Sequence, residues 1–141
     1  MASYNKFNQF VEDLAKKVHN LSADTLKVAL TNTAPVATNT IFSNITEISA
    51  GNGYSAGGNT PTISSCAQSS GTLKLVLADT VFTASGGSVG AFRYVVLYNS
   101  TPTSPLKPLI SWWDYGSSIT LADTETFTVD FDGTNGVLTI A

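Results

Sequence analysis

The sequence predicts a mainly β chain, a single β-sandwich or jelly-roll-like domain opened by one N-terminal amphipathic helix. From residue 25 onward, short β-branched and aromatic runs alternate with Gly, Pro, Asn and Ser turn signals. Only the first twenty or so residues keep a helical rhythm. The 141 residues suffice for one core, and no internal repeat or composition break marks a second domain, so residues 1–141 are taken as one unit.

The predicted helix covers residues 4–21. Phe7, Phe10, Val11, Leu14, Val18 and Leu21 fall on one stripe. Glu12, Asp13, Lys16 and Lys17 take the other faces as two i, i+4 pairs in the favourable order, and Ser3 is available as an N-cap. His19, at the edge of the stripe, is expected to be partly exposed. A β-rich body follows over residues 25–141, with its first strand at 25–30, where apolar and polar residues alternate.

Residues 31–61 form an irregular excursion rich in Thr, Asn, Ser, Gly and Ala. Its polarity is broken by Ile41, Phe42, Ile45 and Ile48, and a helical turn is expected near 41–47. So long a loop is uncommon in a compact domain unless it packs against something or carries function. It ends in a glycine-rich turn, where Tyr54 is expected to dock and glycines allow positive φ. Further strands are predicted at 62–65, 72–77, 81–83, 91–98 and 109–114. Phe127, Val129 and Phe131 alternate with polar residues, and the turn at 133–136 is expected to close a terminal hairpin with 137–140.

Charged residues make up 12% of the chain, about half the usual ~25%, which suits uncharged strand faces or faces covered by neighbouring subunits. A net charge of −3 with seven Lys and Arg leaves no basic patch for nucleic acid. No apolar run approaches the ~20 residues of a membrane span. The polar N-terminus lacks the apolar core of a signal peptide, so synthesis in a cytosol is expected and Asn20, Asn44 and Asn99 carry no glycosylation signal of weight. With Cys66 alone, no internal disulfide forms.

The motifs with chemical potential each fall short. His19 is the only histidine, and Cys66 would need it across the fold to act as a nucleophile. No Gly-x-Ser-x-Gly elbow is present. The run from Asp130 to Gly136 places Asn135 where a calcium loop needs glycine, and Ala141 where it needs glutamate. The glycines around Tyr54 lack the helix and Lys-Ser/Thr of a phosphate loop. Asp114, Asp123 and Glu125 form no motif for paired-carboxylate chemistry. The reading is therefore a non-enzyme with no catalytic, cofactor or metal site.

The segment from Gly90 to Gly116 holds both tryptophans and three of the five tyrosines. Adjacent strand residues face opposite ways, so Trp112 and Trp113 cannot enter the same core face. One of them is left for a subunit contact, a carbohydrate platform, or a helix packed across the sheet. Trp112, Trp113, Tyr115, Tyr54 and Phe42 are the candidate partner-contact residues.

Several landmarks occur in order along nearly the whole chain: the opening helix, the strand from Asp24 to Leu30, and Gly53-Tyr-x-x-Gly-Gly58. After them come Phe92 to Tyr98, Leu109-Ile110 with Trp113-Asp-Tyr-Gly116, and Phe127 to Phe131 with Gly136-Val-Leu. This set resembles a family of small tailed-bacteriophage virion proteins, similar to capsid cement or decoration proteins. The resemblance implies a structural protein on the capsid surface that clamps the major capsid protein, most often as a homotrimer. It carries over no catalytic residue. The polar stretch 33–60 departs from the family pattern. A tail, neck or fibre component shares the same composition, and a carbohydrate-binding module or adhesin built on Trp112, Trp113 and Tyr115 is the remaining alternative.

Overall fold

The computed structural model describes residues 2–141 as a mainly β, sandwich-like structure with one short helix. The elements in order are β1 (Asn5–Lys6), α1 (Gln9–Ala15), β2 (Leu26–Thr31), β3 (Ile63–Ser69), β4 (Thr72–Leu77) and β5 (Thr80–Thr83). They continue with β6 (Val89–Asn99), β7 (Leu109–Leu121), β8 (Thr126–Val129) and β9 (Leu138–Ile140). All strand pairs are antiparallel. A four-stranded sheet runs β1-β7-β6-β2, a three-stranded one β3-β4-β9, and β5 pairs with β8.

The long β6–β7 pair is the spine. Val95 and Leu97 alternate into the main core, and Phe92 joins them because the register shifts between Phe92 and Tyr94. There they join Val28 and Leu30 from β2, and Leu75, Leu77 and Phe82 from the other sheets. Val96 and Tyr98 face the opposite way, where Phe7, Ala29 and Leu109 complete a smaller outer cluster. A register shift between Leu97 and Tyr98 lets two residues, Ile110 and Ser111, stand opposite one position of β6. Beyond that bulge Trp112 pairs with Val96 on the outer face and Trp113 with Val95 on the core face.

The helix is shorter than its apolar stripe predicts. Asn5 and Lys6 pair with Trp112 and Ser111 as a strand, and α1 stops at Ala15. The stop is a Schellman closure: the Val18 amide donates to the Asp13 carbonyl, the Lys17 amide to that of Leu14, and Lys17 adopts φ +65°. Periodicity continued past a terminator that a lysine, not a glycine, supplies. Asp13 and His19, expected on outer faces, are both buried.

Other boundaries also move. β3 extends to Ser69 and meets β4 through Ser70 and Gly71, both at positive φ as a two-residue hairpin turn requires. Its residues are mostly exposed and polar, which hid the strand. β7 runs on to Leu121 because its far end has β6 to pair with, Ile119 opposite Phe92 and Leu121 opposite Val89. No terminal hairpin forms: β8 pairs with β5 and β9 with β4, so the turn at 133–136 carries the chain between sheets. Asp132 holds that turn, its Oδ1 accepting the Thr134 and Asn135 amides at 2.8 and 2.7 Å.

The excursion 31–61 folds back over the four-stranded sheet. Phe42, in a single 3-10 turn (Phe42–Asn44), stacks on Tyr98 with ring centroids 4.0 Å apart, and Ile45 joins the same cluster. The excursion also closes the free edge of β2. Val28 exchanges both backbone hydrogen bonds with Asn59, and the Ile48 amide donates to the Leu30 carbonyl. The Leu30 amide donates to the Tyr54 hydroxyl at 3.1 Å, which in turn donates to Glu47 Oε1 at 2.7 Å. Desolvation holds the Tyr54 phenol protonated far above its ordinary range. Gly58 is obligatory beside this edge, since a Cβ there would lie 1.8 Å from the Val28 carbonyl oxygen at φ +77°.

Two outcomes follow from these contacts. Tyr54→Phe leaves the Leu30 amide without an acceptor, and a loss of about 1–3 kcal/mol in urea unfolding is expected; an unchanged midpoint would show that water replaces the hydroxyl freely. Lys17→Gly removes a left-handed side chain and is expected to raise stability by up to about 1 kcal/mol, read as a higher Tm. A lower Tm would mean that Lys17 makes a contact outweighing its backbone cost.

Candidate functional site

A cleft of about 370 Å³ lies between β7 and the β8 segment. Trp113 and Tyr115, two residues apart on β7, share the face that looks into it. Phe127, Val129 and Phe131 repeat the same spacing on the opposite wall, and Tyr4 closes one end from just ahead of β1. The rings meet close to right angles. Tyr115 and Phe127 are 5.6 Å apart at 78°, Tyr4 and Trp113 5.7 Å at 72°, and Trp113 and Phe131 5.9 Å at 67°. Such edge-to-face packing suits the ring quadrupoles and fixes the walls. Trp113 is half-buried, whereas Tyr115 is 53% exposed.

The five candidate residues separate into three places. Trp113 and Tyr115 come together in the cleft. Trp112 and Phe42 lie in the outer cluster, where Phe7 covers Trp112 at 4.6 Å, so the chain itself fills much of that second face. Tyr54 is 3% exposed and acts within the fold, not at a surface. Tyr4, Phe127, Phe131 and Asp130 were not singled out from the sequence as contact residues. The alternation from Phe127 to Phe131 did show one apolar face, but not that part of it borders an open cleft.

The carboxylates considered for paired chemistry are each engaged elsewhere. Asp114 receives a two-pronged contact from Arg93 at 2.8 and 2.9 Å and the Gly116 amide at 2.8 Å, which hold its carboxyl below the usual range. Asp123 accepts the Gly86 amide and Glu125 the Ala122 amide. Among the described residues, no group of three or more His, Cys, Asp or Glu is placed to hold a metal ion, and no helix is long and apolar enough to cross a membrane.

His19 and Cys66 line one shallow depression near the end of α1, but no hydrogen bond joins them. Desolvation pushes the Cys66 thiol up, toward the protonated form. His19 is held by Asn99, whose Nδ2 donates to His19 Nδ1 at 3.2 Å and to Asp24 Oδ2 at 2.7 Å. Asn99 is oriented by the Thr101 amide donating to its Oδ1 at 3.1 Å. His19 Nδ1 is therefore an acceptor, and a proton there would face a donor.

No protein family, curated protein or solved structure matches the chain.

Burial lowers the His19 pKa below its ordinary value of 6.5, although Asp13 and Asp24 pull the other way. The folded state thus favours neutral histidine, and stability present above about pH 6.5 falls as the unfolded chain takes up the proton. The urea midpoint is expected to drop as pH falls below about 6.5, with His19→Gln flattening that slope. A wild-type slope unaltered by the substitution would place the proton uptake on other groups.

Proposed function

We propose that this chain is a structural virion protein of a tailed bacteriophage, a cement or decoration protein that sits on the capsid and bridges major capsid subunits, most simply as a trimer. The cleft carries this reading. Its rings are fixed by edge-to-face packing on sheet elements, and Tyr115 presents more than half its surface to solvent. Rigid aromatic anchors of this kind dominate the energetics of protein contacts. The low charge fraction and the order of landmarks along the chain support the same reading. In a trimer, each contact need only be modest, because linked contacts raise avidity without new chemistry.

The purified protein is expected to run as a trimer in native mass measurements and to co-sediment with expanded phage heads. Tyr115→Ala should lower the bound fraction severalfold, while Val36→Ala, at an exposed position of the excursion, leaves it unchanged. A monomer that never co-sediments would sink the proposal. Antibody labelling confined to the tail vertex would reassign the protein to the tail, neck or fibre.

A further inference from the structure

The walls and rim of the cleft differ in electrostatic character from an ordinary apolar groove. Trp113, Tyr115, Phe127 and Tyr4 line the cleft, and the face of an aromatic ring is the negative side of its quadrupole. Asp130 and Asp132 stand on the rim. The Asp132 carboxylate is stabilised as the anion by the Thr134 and Asn135 amides and the Asn135 side chain. Asp130 is exposed, and its carboxylate has no hydrogen-bonding partner among the described residues. No Lys, Arg or His among the described residues lines the cleft. Lys74 is not among the lining residues, but its ammonium helps keep the Asp132 carboxylate ionised and donates to the Thr134 carbonyl.

We propose that this cleft is a receptor for a cationic side chain, specifically an arginine projecting from a partner protein segment. Trp113, Tyr115 and Tyr4 line the cleft, and a cation over the face of Trp or Tyr within about 6 Å is attracted to it. Arginine fits better than lysine, because its planar guanidinium stacks flat on one ring while its N–H fork meets a carboxylate. Asp130 is the carboxylate for that fork. A cleft of about 370 Å³ lies at the small end of ligand sites, suited to one long side chain with its flanking backbone. A sugar would need several convergent hydrogen-bonding groups, whereas here the rim supplies acceptors and the walls supply rings. The inference rests on the proposed function only for the partner's identity.

The test follows the two indole N–H signals by NMR during titration with acetyl-Gly-Arg-Gly-amide and its citrulline counterpart, a neutral near-isostere. The arginine peptide is expected to move the Trp113 signal in a saturable manner and leave that of Trp112 in place; the citrulline peptide should bind at least roughly fivefold more weakly. Asp130→Asn and Tyr115→Leu should each weaken arginine binding, the second although it keeps an apolar side chain. Equal response to both peptides would overturn the proposal in favour of a plain apolar groove. No response to either peptide, or a Trp113 shift only with oligosaccharides, would overturn it as well. Co-sedimentation with heads that persists unchanged in Asp130→Asn would leave the capsid reading standing while removing this one.

Discussion

The hydroxyl of Tyr54 is the contact on which the arrangement of this chain most depends. It accepts the Leu30 amide and donates to Glu47, and so joins the outermost strand of the main sheet to the excursion that covers it. An open strand edge is a template for unwanted pairing. Here Asn59, Ile48 and Tyr54 meet the outward backbone groups of Val28 and Leu30 in turn. The Glu47 carboxylate also accepts the Gly57 amide, and Tyr98 donates to the Gly57 carbonyl at 2.6 Å. One buried polar network thus ties the glycine-rich turn, the sheet edge and the outer face of β6 together, and its groups are costly to leave unpaired in a low dielectric.

With the edge of β2 and the outer face covered by the chain's own residues, the cleft beside β7 is left as its main open aromatic surface. The β6–β7 pair makes that division possible. A bulge at Ile110 and Ser111 sets the phase of β7, after which Trp112 turns outward beneath Phe7 and Trp113 turns inward beside Phe131. A one-residue change in that phase would exchange the two tryptophans and abolish the cleft. Tyr115 inherits its position from the same register, two residues further along β7 and edge-to-face with Phe127.

Much of the fold was legible in residue pattern. β4 was bounded correctly from Thr72 to Leu77, because its apolar alternation ends at turn residues. The opposed facing of Trp112 and Trp113 followed from strand geometry alone. Failures came where tertiary partners decide. The stripe from Phe7 to Leu21 continued a helical rhythm, yet Asn5 and Lys6 gained more by pairing with β7. Exposed β3 has only the small residues Cys66 and Ala67 as apolar signal over its second half, and strand pairing across sheets defeated the local hairpin expected at 133–136. Of the site, Trp113 and Tyr115 could be named, but their companions on the opposite wall could not, since only three-dimensional placement distinguishes a core face from a cleft wall. Tyr54 was legible as an anchor and was misplaced only in being offered to a partner as well.

On the proposed reading, the cleft walled by Trp113, Tyr115 and Phe127 is where this protein meets another chain. An electron cryo-microscopy map of the assembled particle tests it most directly. Density from a neighbouring subunit is expected against those rings, with a basic side chain beside Asp130. A particle in which the protein is bound while the cleft opens to solvent, and a different face meets the shell, would contradict it.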